Sequence, residues 1–304
     1  MSKMALISIA CPACKGDVNR KVTAVRLSPI WTDSFLLQCR KCGLHYVSPR
    51  PSPEEENLFY ETEYHGREDL SMWKEHRLPF FREALEKMER KIQGRRLLDV
   101  GCGAGFFLDL ARKRGWETHG VEISKEASSY AQEILHLNVV RGALGQTEFP
   151  KGYFSVLTLW NVLDQMTHPD EEVRMIYPLI KPGGLFALRI SNLSCHLMVH
   201  RFWKILTTLK LVDGKRNEPT VFHLQMFSKS SITSFLKSRG FVKIEVQNAL
   251  LDPMPADLVG HLGQKGTRFA RKAYYVMAEF LRWLSFGQIV LGPSLLVFAR
   301  KPEF

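Results

Sequence analysis

The chain has 304 residues, with 42 Lys and Arg against 31 Asp and Glu, and a net charge of +11 at pH 7. Its 45% hydrophobic and 24% charged residues are those of a folded globular protein, which excludes a disordered tail, a collagen and a multi-span membrane protein. Six cysteines are too few for a disulfide scaffold at this length.

The opening run, MSKMALISIA, is too short an apolar stretch for a secretory segment. The longest charge-free stretch, Trp283 to Ala299, is broken by Gly287, Gln288 and Gly292-Pro293. It falls short of the roughly 20 apolar residues of a spanning helix, so a cytoplasmic protein is expected.

Cys11-Pro-Ala-Cys14 and Cys39-Arg-Lys-Cys42-Gly43 form two C-x-x-C pairs separated by 24 residues. Four thiolates at this spacing close a tetrahedral Zn2+ site with no open position, so the expected metal is structural. A redox role would need a thioredoxin-like βαβ context, which is absent here. Residues 51–93 continue as a charged helical stretch with Leu78, Phe81, Leu85 and Met88 at helical spacing.

From residue 94, short apolar runs alternate with helical patterns. Strands are expected at 96–100, 117–122, 138–142, 153–160 and 184–190, and helices near 105–114, 125–136 and 170–180. Gly183-Gly184 reads as the turn into the fifth strand. Two further strands are expected at 241–249 and 294–301, the last as an antiparallel edge. The pattern predicts an α/β fold: a seven-stranded, Rossmann-like, doubly wound sheet whose last strand is antiparallel, preceded by the small ribbon.

The first of these strands ends at Asp99 and runs into Gly101, Cys102, Gly103 and Gly105. Glycines there let backbone N–H groups approach a ligand closely. A dinucleotide loop would need glycine where Phe106 stands, and Asp99 would repel a pyrophosphate. A ligand with an ammonium group or ribose donors suits it better. Glu122, at the tip of the next strand, is placed for a ribose diol, Ile123 for an adenine face, and Ala143 and Leu144 for the adenine edge.

The runs LLDVGCGAGFFL, GVEIS, FSVLTLWNVLDQMTHP and LIKPGGLFALRISN, in this order, resemble the class I S-adenosylmethionine-dependent methyltransferases. The resemblance covers about 94–192 and extends through HLQMFSKSSITSFLKSRGF. It implies that Asp99, Gly101, Gly103 and Glu122 hold S-adenosylmethionine, with Trp160 and Asn161 beside its methionine end. Asp164 and Gln165 stand where many relatives have Glu and His, so a base at that histidine position is closed to this chain. The N-terminal segment resembles a zinc ribbon fused to methyltransferases of bacterial small-molecule and surface-polysaccharide pathways. The implied division is a ribbon at 1–50, a helical linker or lid at 51–93, and a methyltransferase domain at 94–304 with helical insertions at about 193–216 and 255–287.

The expected reaction is methyl transfer to a hydroxyl of a small-molecule, sugar or lipid-linked acceptor, with nitrogen and carbon acceptors ranked behind. Asp164 and His223 are the leading candidates for general base, followed by His168. The alternatives are an rRNA or tRNA methyltransferase and a non-catalytic cofactor-binding adaptor. Residues 193–216 and 261–287 each carry a net charge of +4 on amphipathic helices. They are candidates for peripheral contact with the inner face of a membrane, although packing of their apolar faces on the sheet is the favoured reading. Nucleic acid ranks lower, because no RNA-binding signature appears.

Overall fold

A computed structural model describes residues 6–25, 34–52, 54–55, 70–210, 223–249 and 263–303. The N-terminal part contains β1 (Leu6–Ile7), β2 (Asn19–Val25), β3 (Ser34–Cys39), β4 (His45–Ser48) and β5 (Arg50–Pro51). Strands β2, β3 and β4 form an antiparallel sheet, and β1 pairs with β5. Helix α1 (Leu70–Lys91) follows.

The large sheet contains β6 (Arg96–Val100), β7 (Glu117–Glu122), β8 (Val139–Arg141), β9 (Phe154–Trp160) and β10 (Ile180–Ser191). Between them run α2 (Phe106–Lys113), α3 (Lys125–Ser129) and α4 (Pro169–Leu179). The helix expected over 125–136 is α-helical only through Ser129 and passes into a π-helical turn, Tyr130–Ile134. Ser124 caps its start by accepting a hydrogen bond from the Ala127 N–H. The Gly183-Gly184 turn lies inside β10 as a register shift against β9, with Gly183 at φ +71°.

The chain continues with α5 (Leu193–Thr208), β11 (Gln225–Met226), α6 (Lys229–Lys237), β12 (Val242–Asn248), α7 (Gly263–Leu284) and β13 (Ser294–Arg300). The seven-stranded order is β12-β13-β10-β9-β6-β7-β8. The last strand is antiparallel to both neighbours, as expected in direction. It is not an edge strand, however: β13 inserts between β10 and β12, and β12 takes the edge. Residues 295–299 are buried throughout, which an inserted strand requires and an edge strand does not.

Each face of the sheet has its own core. On one side, Phe80, Phe81, Leu85 and Met88 of α1 pack with Phe107, Val156, Trp160 and Phe298. On the other, Leu157, Phe186 and Leu188 pack with Phe235 and Leu236, and this cluster continues into Cys11, Cys39, Leu44 and Tyr46. The cysteine region is therefore part of the main core. β11 extends its sheet by pairing with β4. Two buried arginines stitch the parts together. Arg50 donates to the Thr167 carbonyl at 2.7 Å, and Arg239 donates to the Ala13 carbonyl at 2.9 Å while pairing with Asp170 at 2.6 Å. Such cations are costly in a core unless they are hydrogen-bonded or ion-paired, as the terminal nitrogens of both guanidinium groups are here.

The packing expected of the basic helices is corrected. Helix α5 turns Leu193, Leu197 and His200 toward the small sheet, where His200 Nε2 lies 3.0 Å from Thr23 Oγ1. Its apolar residues Met198, Phe202, Ile205 and Leu209 are exposed rather than packed on the large sheet. On α7, Val276, Phe280 and Leu284 are likewise exposed. The second insertion falls partly outside the described residues, at 255–262. No helix among the described residues is long and apolar enough to cross a membrane.

Candidate active site and metal centre

The carboxyl ends of the parallel strands gather the glycine turn, Glu122, the segment after β9 and the start of α5. Gly101, Gly103 and Gly105 all have positive φ, at 69°, 55° and 78°. At Gly105 no side chain fits, because a Cβ would lie 2.5 Å from Leu137 and 3.1 Å from Ala131. Gly103 faces open space, which leaves room for a ligand against the backbone.

Glu122 braces this turn. One carboxylate oxygen accepts the Gly103 N–H at 2.7 Å and the other accepts the Ser124 N–H at 2.8 Å. Each oxygen keeps a lone pair for a ligand hydroxyl. Burial raises the Glu122 pKa against the pull of these amides. Asp99 is fully buried and accepts the Thr158 hydroxyl at 2.6 Å. Burial, with the nearby Glu122 charge, pushes it up to about 8, although Thr158 and the positive Arg77 work the other way. A ligand carrying positive charge would relieve both carboxyls.

The remaining predicted residues divide by environment. The Cys102 thiol packs against Gly120, and burial beside two carboxyls raises its pKa well above the ordinary range, which keeps it a thiol. Ile123 is half-buried, Ala143 exposed and Leu144 buried. The Ala143 N–H donates to Gln146 Oε1 at 3.0 Å, which fixes the turn after β8. Trp160 lies within an aromatic cluster, edge-on to Phe80 and Phe107 at 5.3 and 5.0 Å. Its buried Nε1 has no hydrogen-bond partner. Asn161 takes a left-handed conformation at φ +59°, and its N–H donates to the Arg189 carbonyl.

Asp164 is buried, with Oδ2 accepting the Ser191 N–H at 2.9 Å and Oδ1 unpartnered. His223 is half-buried. His168 is exposed at the start of α4, with Nδ1 3.9 Å from Glu171. Sequence reasoning missed His196, on the first turn of α5. His196 interacts electrostatically with both Asp164 and His223. Its Nδ1 lies 2.9 Å from the Asn192 carbonyl. A carbonyl only accepts, so Nδ1 carries the proton and Nε2 is the basic nitrogen. Burial lowers the His196 pKa below 6.5, so the ring is neutral at pH 7. The one sequence signal for it was its position four residues after Asn192, at the head of a helix leaving a strand tip.

The four cysteines converge. Cys11 and Cys42 Sγ lie 3.5 Å apart, Cys14 and Cys39 Sγ 3.6 Å, and all four sulfurs lie within 4.8 Å of one another. Zn–S bonds of about 2.3 Å in a tetrahedron put sulfurs about 3.8 Å apart, so the donor set fits Zn2+. The knuckles turn through left-handed residues after each second cysteine, Lys15 at φ +56° and Gly43 at φ +75°. His45 is buried beside them and bonds the Gly43 carbonyl through Nδ1, a packing role.

Residues 72–246, more than half of the chain, match the family model described as a methyltransferase domain. Over 101 residues the chain is 31% identical to the ubiquinone biosynthesis O-methyltransferase of Alkalilimnicola ehrlichii, covering 31% of this chain and 40% of that protein. Over 114 residues it is 28% identical to the protein of the same name from Bordetella avium, covering 35% and 46%. The chain thus spans less than half the length of these curated relatives. Among solved structures, it resembles a chain of the complex between the Haloferax volcanii Trm112 methyltransferase activator and a methyltransferase, with a TM-score of 0.54 and 14% identity over 77% of this chain and 93% of that one. It also resembles Haemonchus contortus phosphoethanolamine N-methyltransferase 2 in complex with S-adenosyl-L-methionine, with a TM-score of 0.51 and 18% identity over 90% of this chain and 64% of that one. At these identities the structural likeness is one of fold. The family match, the strand order with its inserted antiparallel β13 and the braced glycine turn agree: the chain belongs to the class I S-adenosylmethionine-dependent methyltransferases.

Proposed function

We propose that this chain transfers a methyl group from S-adenosylmethionine to a hydroxyl of a small-molecule, sugar or lipid-linked acceptor. The observation that carries the hydroxyl assignment is the oriented imidazole of His196, proton on Nδ1 and lone pair on Nε2, grouped with Asp164 and His223 at the ligand end of the sheet. The O-methyltransferase names of the curated relatives support the same acceptor atom.

In this reading, S-adenosylmethionine supplies an electrophilic methyl group on a positively charged sulfur. Asp99 and the turn from Gly101 through Cys102 and Gly103 to Gly105 hold its methionine end, with Trp160 and Asn161 forming the adjoining wall. Glu122 accepts the ribose hydroxyls, and Ile123, Ala143 and Leu144 enclose the adenine. The chain's contribution is alignment of acceptor oxygen, methyl and sulfur. As the new C–O bond forms the methyl–sulfur bond breaks, the sulfur leaves as a neutral thioether, and His196 Nε2 takes the hydroxyl proton. Asp164 and His223 set the charge around the resulting imidazolium. Zn2+ on Cys11, Cys14, Cys39 and Cys42 has a structural role, since four sulfur ligands leave it no place for substrate.

Incubation with methyl-labelled S-adenosylmethionine and a panel of phenols, sugars and polyprenyl-linked alcohols checks the acceptor class. Label is expected in an alkali-stable ether on an oxygen. Label found only on amine or carbon acceptors would overturn the hydroxyl assignment.

A further inference from the structure

We propose that the exposed face of α5, together with the end of α7 and the turn after it, is a docking surface for an anionic lipid bilayer. On α5, Met198, Phe202, Ile205 and Leu209 recur every three or four residues and are all largely exposed, while the opposite face is occupied by the small sheet. At the end of α7, Trp283 is 71% exposed and Phe286 94%, with Phe280 and Leu284 beside them. Scattered single apolar residues on a surface need no explanation, but two helix faces of this kind do.

The ordered geometry of the α7 end argues against a frayed terminus. The Gly287 N–H donates to the Arg282 carbonyl at 2.7 Å, Lys229 Nζ donates to the Gly287 carbonyl, and the Ile289 N–H donates to Ser285 Oγ at 2.9 Å. The aromatic side chains project from a fixed turn. α5 and α7 also meet, where Cys195 Sγ lies 3.7 Å from Tyr274 Oη. α5 leaves the tip of β10, so the helix starts at the ligand end of the sheet.

Charge selects the occupant. α5 contains no Asp or Glu, and its Arg201 and Lys204 are exposed, with Lys210 just beyond. On α7 the one acid, Glu279, is paired with Arg282. A second copy of the chain would bring the same positive faces together, which like-charge repulsion opposes. Apolar side chains flanked by cations match the interface of an anionic bilayer, with rings in the acyl boundary and Lys and Arg among the phosphates. An enzyme held there reaches lipid-linked hydroxyls directly. That last step rests on the proposed methyl transfer; the docking does not.

The test is co-flotation of the full chain with phosphatidylcholine vesicles and with vesicles that also contain phosphatidylglycerol. Binding is expected only to the anionic vesicles, and it should weaken with salt as screening sets in. Trp283→Glu with Phe286→Glu should reduce partitioning by about 100-fold. Arg201→Glu with Lys210→Glu should also reduce it. Melting temperature and S-adenosylhomocysteine affinity, measured on the same samples, should be unchanged. Vesicle binding without S-adenosylhomocysteine binding would leave the docking standing and remove the methyltransferase reading. Failure of the wild type to float with anionic vesicles would overturn the proposal. So would unchanged flotation of folded variants, or a concentration-dependent dimer that the aromatic substitutions abolish.

Discussion

Cys39→Ser is expected to lose one zinc per chain and to lower the melting temperature of the whole protein, not of the ribbon alone. Cys39 and Cys11 belong to the same buried cluster as Leu157, Phe186 and Phe235 of the large sheet and its covering helix. Arg239 reaches across to the Ala13 carbonyl, between the first two cysteines, and β11 pairs directly with β4. Loss of a structural metal is one of the few single changes that cost several kcal/mol. Here the released segment would also expose Tyr46 and Leu44 and the apolar side chains they cover. A loss of about 4 kcal/mol in a chain of this size corresponds to a fall of about 6 °C. Metal analysis and a thermal melt check it together. A zinc-free variant that melts with the wild type would show the ribbon to be energetically separate.

His196→Ala is expected to lower kcat by about 10²–10⁴-fold, the usual contribution of a positioned general base. S-adenosylhomocysteine affinity should stay unchanged, because His196 contacts neither the glycine turn nor Glu122. The pH profile distinguishes a base from a packing residue. Only the neutral ring accepts a proton, and burial holds its pKa below the ordinary 6.5. kcat should therefore climb with pH through that lowered pKa and be flat across neutrality. In the alanine variant the acid limb should disappear. An equal fall in kcat at every pH, with the limb retained, would assign the base elsewhere, to His223 or Asp164.

Much of this architecture was legible because its signals are local. The strand runs ending at Val100, Glu122 and Trp160 are short and set off by helical patterns, and they lie where the sheet forms. The cysteine pairs carry their own spacing, and the glycine turn is written in consecutive residues. What escaped depends on contacts between distant segments. The place of β13 between β10 and β12 is decided by which neighbours bury Leu295 to Ala299. The two-residue β11 exists only because β4 offers it an edge. The amphipathic pattern of α5 identified a helix but misassigned its inward face, since a ribbon sheet rather than the large sheet supplies the partner for His200. His196 was invisible for the same reason: its tautomer is set by Asn192, and its electrostatic neighbours come from the β9–α4 and α5–β11 connections. Asp164 stands out in the sequence as a departure from its relatives, and in the fold half of its carboxylate is engaged in holding Ser191.

In the proposed binding mode the glycine turn and its two acids grip an adenosyl ligand that carries positive charge. Calorimetric titration with S-adenosylhomocysteine tests this directly. The wild type should bind one equivalent with proton release, because the ligand's ammonium ionises Asp99, whose pKa otherwise stands near 8. By linkage, affinity should rise as the pH climbs toward that value and level off above it. Glu122→Ala removes the acceptor of two backbone amides and, in the proposed binding mode, of the ribose diol, and should weaken binding by about 100-fold. No binding by the folded wild type, or binding indifferent to Glu122, would contradict the assignment.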